Sequence, residues 1–245
     1  MTNDKATSPM VNAAIFDLDG TLFTGHIWQG LFRYLRLHRR NRLLLYAFLA
    51  AHMPVGFLCQ MRLMDSGRMR IAWCRHMAWM LRGMSIAEGA RAFTWITDEY
   101  VMPLLRLDVV ALLREHQARG ERVILLSGSF QPLLEIIGER LGADVMLGTQ
   151  PEQRDGCYTG QTLEPVCQGE GKAVRLRAYL AEEGNDVDLG ACSGYADSIF
   201  DLSVLEMVGH PVAVYPDEEL ASLAAQRGWL VFREGSPAHS ERSQA

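Results

Sequence analysis

Residues 12–21 read NAAIFDLDGT. The run at 12–16 is short, apolar and ends on an acid, as a buried strand does where it reaches a cleft. The chain beyond it follows the same pattern. Leu105, Val109, Leu112 and Leu113 keep helical spacing, with Gly120 placed to end that helix. Residues 122–126, RVILL, form a second buried strand and run into Ser127-Gly128-Ser129. Pro132 opens a helix that should close near Gly142, and 143–147 form a third strand. Asp155-Gly156 marks a hairpin between 145–150 and 157–163. A helix over 172–183, a strand over 187–192, a short helix over 201–207 and a last core strand over 212–215 complete the series. Short apolar strands alternating with helices predict an α/β fold built on a parallel sheet.

The chain has 245 residues, 49% hydrophobic and 22% charged, which excludes global disorder and a collagen-like repeat. A net charge of −5 argues against a general nucleic-acid binder. Five cysteines (59, 74, 157, 167, 192) form no C-x-x-C pair, so a reducing, cytoplasmic setting is the simpler expectation than a disulfide scaffold. The first ten residues lack the apolar run of a secretory signal. The apolar run at 43–58 contains His52 and Pro54 and has 16 residues. A spanning helix needs about 20.

Charge is unevenly spread. Between His26 and Arg91 there are eleven arginines, no lysine and two acids, a net +9, and the rest of the chain carries −14. Seven of the twelve methionines fall in the same stretch. Asp17 and Ser127 are 110 residues apart, whereas a βαβ unit needs about 30. The excess falls on this basic segment, which reads as helical and as an insertion after the first strand. The expected organisation is therefore a core at 1–24 and 99–235, a helical cap at 25–98, and a polar, disordered tail at 236–245.

In an open α/β sheet, ligands bind at the carboxyl ends of the strands. Here those ends carry Asp17 and Asp19, Ser127, and, after the fourth strand, Asp197 and Asp201, while Lys172 opens a helix after Gly169-Glu170-Gly171. Clustered carboxylates repel unless a cation or shared proton relieves them. Oxygen ligands without His or Cys suit Mg²⁺. An aspartate beside such a cation can attack phosphorus, and a second carboxylate two residues on can protonate the leaving oxygen and then deprotonate water. Lys172 and Ser127 can hold the phosphoryl oxygens as charge spreads.

This set resembles the haloacid dehalogenase (HAD) superfamily, in DLDGT at 17–21, Ser127, Lys172 and Asp197…Asp201. ILLSGS at 124–129 and GEGK at 169–172 are most similar to the phosphoserine-phosphatase-like branch. The resemblance covers roughly 12–232 and implies a Rossmann-like sheet with an inserted all-α cap. It implies a phosphomonoesterase acting through an aspartyl-phosphate. Its catalytic residues are then Asp17, Asp19, Ser127 and Lys172, with Thr21, Ser127, Gly128 and Lys172 on the phosphate. Mg²⁺ is held by Asp17, Asp197 and the Asp19 carbonyl, with Asp201 behind them. Two positions depart from the pattern. Ala196 stands where a glycine often precedes the metal-binding aspartate, and His26 stands where the branch has a glutamate for the substrate amine. A histidine cannot hold an ammonium group that way, which counts against phosphoserine itself; a small phosphorylated metabolite is the expected substrate.

The five arginines at 33–42, followed by the apolar run at 43–58, fit either a helix buried inside the cap or an interfacial anchor on anionic lipid. A lipid-phosphate phosphatase peripheral to the membrane is accordingly the alternative substrate reading. A signalling receiver domain also gathers Asp, Ser or Thr, and Lys around Mg²⁺, but it uses no cap and no group in the role of Asp19. A binding module on an inactive scaffold is the remaining alternative, against which every expected catalytic position is filled.

Overall fold

A computed structural model describes residues 12–61, 66–182 and 187–234. The expected tail at 236–245, the N-terminal ten residues, the end of the helix predicted to reach 183 and the side chain of Cys59 lie outside the described residues.

Six parallel strands form one sheet in the order β3-β2-β1-β6-β7-β8. They are β1 (Ala13–Phe16), β2 (Arg122–Phe130), β3 (Val145–Thr149), β6 (Ser193–Ala196), β7 (His210–Val214) and β8 (Leu230–Phe232). All four residues of β1 are buried, because the strand is central and covered on both faces. The NAAIF run therefore places Asp17 in the middle of the sheet's carboxyl edge. A separate hairpin pairs β4 (Pro151–Arg154) with β5 (Cys157–Thr162).

Helices cover the sheet. α5 (Leu107–Ala118) leads into β2, and α6 (Gln131–Leu141) follows it, with Pro132 in its first turn and Gly142 as its left-handed terminator. α7 (Glu170–Leu180) carries Lys172, and the short α8 (Leu202–Leu205) follows Asp201. α9 (Glu218–Arg227) starts on the side-chain cap of Asp217.

Between β1 and α5 the described chain is helical: α1 (Ile27–Leu37), α2 (Arg42–Gln60), α3 (Ser66–His76) and α4 (Ile86–Ile96), with shorter turns between and after them. A capping box between Ser85 and Glu88 starts α4. These helices are not a detached layer. Phe48, Phe93 and Leu31 belong to the same continuous apolar cluster as Phe16 and Phe130. The hairpin also bonds to the segment before α4, through Gly83 N–H to Tyr158 O (2.9 Å) and Tyr158 N–H to Met84 O (2.9 Å).

Several sequence boundaries are corrected. The first arm of the hairpin is 151–154, because 145–149 pairs with β2 in the main sheet. The strand expected at 187–192 lies at Ser193–Ala196, and residues 189–191 form a 3₁₀ turn capped by Asp188. β8 was not anticipated; it is a three-residue edge strand with no fully buried side chain. The run at 43–58 is neither wholly buried nor wholly exposed. Leu45, Phe48 and His52 of α2 are buried, while Leu43, Tyr46 and Met53 are exposed. No helix among the described residues is long and apolar enough to cross a membrane.

Candidate active site

Asp17 leaves β1 with its N–H donating to Tyr195 O at 2.9 Å, so the sheet ladder itself fixes the start of the site. Its Oδ1 accepts from Lys172 Nζ at 2.5 Å, and the same ammonium reaches Asp201 Oδ1. One carboxylate oxygen from each of Asp17, Asp197 and Asp201 lies within 4.8 Å of the others. Thr21 Oγ1 sits 3.2 Å from Asp17 Oδ2 and 3.4 Å from Asp197 Oδ1, within reach to donate to either. Gly20 makes this packing possible. Its φ is +84°, and a Cβ there would fall 2.1 Å from Asp197 Oδ2.

The electrostatics follow from three acids around one cation. Burial would lower the Lys172 pKa, but Asp17 and Asp201 outweigh it and hold the ammonium firmly protonated. Burial and the charges of Asp17 and Asp201 raise Asp197. Burial also raises Asp201, with Asp17 adding to the rise and Lys172 opposing it. The raised values mark carboxylates crowded beyond what the one ammonium relieves, in an all-oxygen donor set. That combination fits a hard divalent cation.

Asp19 stands apart from this trio. Its Oδ1 accepts from Ile27 N–H at 2.9 Å, which ties it to the first turn of α1. Burial and the charge of Asp17 push its pKa up to about 7, against smaller lowering by the Ile27 bond, Lys172 and Arg70. Ser127 is fully buried, and its hydroxyl is engaged with Ser129, Oγ to Oγ at 3.0 Å. Gly128, rather than Ser127, lines the cavity above the acids.

That cavity has a volume of about 290 Å³. Asp17, Asp19, Lys172, Asp197 and Asp201 form its floor, with Gly128, Gln168 and Ser198 beside them. The opposite wall comes from the helical segment: His26, Trp28, Met69, Arg70, Trp73, Cys74 and Met77. Arg70 Nη1 donates to Ser198 Oγ at 3.2 Å, and its guanidinium lies 4.2 Å above the Phe200 ring. Ser198 in turn donates to Asp217, which caps α9. His26 stacks near Trp28 at 6.1 Å, and burial with the Arg70 charge lowers its pKa, which favours the neutral ring.

The fold thus gathers Asp17, Asp19, Lys172, Asp197 and Asp201 around one cleft. Thr21 and Ser127 are close by, with their hydroxyls turned to neighbours. Sequence reasoning missed Trp28, Arg70, Trp73 and Gln168. Arg70 was one arginine among eleven in its segment, and only the packing of α3 against the sheet edge singles it out.

Comparison with known proteins agrees with this geometry. The model of the haloacid dehalogenase-like hydrolase family matches residues 14–206. A phosphoserine phosphatase of Mycobacterium tuberculosis is 33% identical over 223 residues, covering 89% of this chain and 70% of that one. A histidinol-phosphatase of Neisseria meningitidis is 29% identical over 234 residues, covering 91% and 99%. Among solved structures, a Bordetella pertussis protein of unknown function superposes with a TM-score of 0.73 at 26% identity, covering 91% of this chain and 99% of its own.

Proposed function

Because the chain belongs to the haloacid dehalogenase-like hydrolases and is a phosphatase, we propose that it hydrolyses a small phosphomonoester by way of an aspartyl-phosphate on Asp17. The observation that carries this reading is the Lys172 ammonium bridging Asp17 and Asp201, with Asp197 alongside, on the floor of a cavity walled on its far side by the helical segment.

The site fits Mg²⁺ held by Asp17, Asp197 and the Asp19 carbonyl, with Asp201 in support. A cation held by these residues would supply charge neutralisation for the phosphoryl oxygens as the Asp17 carboxylate attacks. Lys172 holds the Asp17 carboxylate in one orientation and offers its charge to the same oxygens. Asp19, its pKa raised to about 7 so that the acid form persists near neutral pH, gives its proton to the leaving oxygen. As a carboxylate it then takes a proton from the water that opens the aspartyl-phosphate. The Ile27 N–H keeps Asp19 aimed, so the start of α1 contributes directly to acid–base catalysis. Ser127, Gly128 and Thr21 close around the phosphoryl group once Ser127 rotates from Ser129.

The core is assigned to 1–24 and 99–235, and the cap, which excludes water and chooses the substrate, to 25–98. Among the described residues, the cap wall of the cavity offers Trp28, Trp73, Met69 and Met77, one cation, Arg70, and no carboxylate. An amino acid's ammonium group therefore finds no partner on that wall, whereas a flat or apolar leaving group can pack against the indoles. This favours a phosphoester whose leaving group has a flat or apolar face and no ammonium over phosphoserine. The four described cysteines are free, which suits a reducing, cytoplasmic setting. A lipid-phosphate substrate is the second reading, favoured by the exposed apolar face of α2.

A screen of phosphoserine, histidinol phosphate, aryl phosphates and lipid phosphates with Mg²⁺ tests the reading. Turnover should vanish in Asp17→Asn, whose amide is a poor nucleophile of nearly the same size. Appreciable turnover by that variant would remove Asp17 from its role.

A further inference from the structure

Among the described residues eleven large hydrophobic side chains stand exposed, and five of them fall between residues 37 and 61: Leu37, Leu43, Tyr46, Met53 and Met61. Three of these lie on α2, opposite Leu45, Phe48 and His52, which the protein buries. Leu43 is 84% exposed, Tyr46 55% and Met53 61%, and exposed Ala47 and Ala50 complete one stripe at helical spacing. Nothing in the described chain covers this stripe.

The corner before α2 adds charge to the same edge. Asn41 donates to Met80 O (2.8 Å) and Arg82 O (3.1 Å), so the turn is pinned to the segment beneath it. Arg40 is taken by Glu88 at 3.0 Å, and Arg42 donates to Arg36 O at 2.7 Å. Arg36 and Arg39 are exposed and enter no ion pair among the described residues. An apolar helix face thus begins at a rigid corner that presents two uncommitted guanidiniums.

We propose that this face of α2, with Arg36 and Arg39, seats the protein on an anionic lipid bilayer. Charge selects the occupant. The segment from His26 to Arg91 carries eleven arginines against two acids, so a second copy docked face to face would set like charge against like charge. An anionic bilayer supplies both complements: phosphate headgroups for the guanidiniums and an acyl boundary for Leu43 and Met53, with Tyr46 suited to the level between. The helix lies in the interface and does not cross it.

This placement does not depend on which phosphoester is the substrate, and its test separates the two. The full chain is sedimented with vesicles of phosphatidylcholine alone, and with vesicles holding about one-third phosphatidylglycerol. Binding is expected to the anionic vesicles at low salt, to weaken with added salt, and to be absent for phosphatidylcholine. Arg36→Gln with Arg39→Gln should bind about thirty-fold more weakly, at the usual worth of two basic side chains near an anionic surface. Leu43→Ser with Met53→Ser should lose binding altogether. These four side chains are exposed and lie off the cavity, so both variants should fold and hydrolyse a soluble aryl phosphate at the parent rate. The proposal is overturned by no binding to anionic vesicles, by equal and salt-independent binding to both compositions, or by a concentration-dependent dimer that the Leu43→Ser, Met53→Ser variant dissolves.

Discussion

At the scale of single residues the site is decided by how four carboxylates stand around one ammonium. Lys172 answers Asp17 and Asp201, which leaves Asp197 and Asp19 facing negative neighbours with no cation of their own. Asp19, Asp197 and Asp201 all have pKa values above the usual carboxylate range. A raised acid binds more protons folded than unfolded, so its contribution to stability falls as pH rises from the unfolded value, 3.8, through the folded one, about 7 for Asp19. Metal-free protein should therefore melt at a lower temperature near pH 8 than near pH 5, by about 5 °C. Mg²⁺ should restore more at the higher pH, because it competes with the same protons. A melting temperature that is flat or rising over that range in EDTA would contradict this account of the acids. The separate position of Asp19 gives a second expectation. Asp19→Asn should cut turnover of alkyl phosphates by about 10²–10⁴, and slow formation of the aspartyl-phosphate from aryl phosphates much less, since their leaving oxygen needs no proton. Single-turnover rates on the two esters measure the difference; equal losses would mean that Asp19 does not act as the acid.

At the scale of elements, the helix starts aim the chemistry. Gly171 is the second residue of α7, just before Lys172, and a Cβ there would fall 1.9 Å from the Val166 carbonyl oxygen. Backbone cannot yield cheaply at that distance, so Gly171→Ala should push α7 away from β1 and carry Lys172 off Asp17. The expected result is a loss of about 10²-fold or more in kcat, since a misplacement of about 1 Å is enough for that, with secondary structure retained by circular dichroism. Parent activity in this variant would show that α7 has room the structure denies it. The same scale explains what could be read beforehand. β1, β2 and the start of α6 were legible because continuous apolar runs, Pro132 and Gly142 each carry a local signal. The strand at 193–196 was misplaced because its own residues, Ser-Gly-Tyr-Ala, are less apolar than the segment before it, and pairing with β1 and β7 makes it a strand. β8 escaped for the same reason, since three residues at a sheet edge bury too little to leave a pattern. The floor of the site was legible as Asp17, Asp19, Lys172, Asp197 and Asp201 because each follows a strand or opens a helix. The wall was not, because Trp28, Arg70 and Trp73 sit on helices whose facing is settled only by packing.

Over the whole molecule the charge is divided, and the division has a kinetic consequence. The segment from His26 to Arg91 carries +9 and the remainder −14. A phosphate dianion approaching the strand edge meets four aspartates on the cavity floor and is repelled, unless the opposite wall outweighs them. Among the described residues Arg70 is the one cation that the wall places in the cavity, and Ser198 and the Phe200 ring hold it there. The other arginines act from farther out, over distances comparable with the Debye length of about 10 Å at moderate salt. If the basic segment governs approach, kcat/KM for a small soluble phosphoester should fall as inert salt is added at saturating Mg²⁺, while kcat stays nearly constant. Arg70→Gln should raise KM by about ten-fold, equivalent to about 1.4 kcal/mol of lost binding, and should flatten the salt dependence. A rise of kcat/KM with salt would mean that the −14 of the core dominates and that the arginines serve another surface, which the Arg36→Gln, Arg39→Gln variant would identify by leaving the salt profile unchanged.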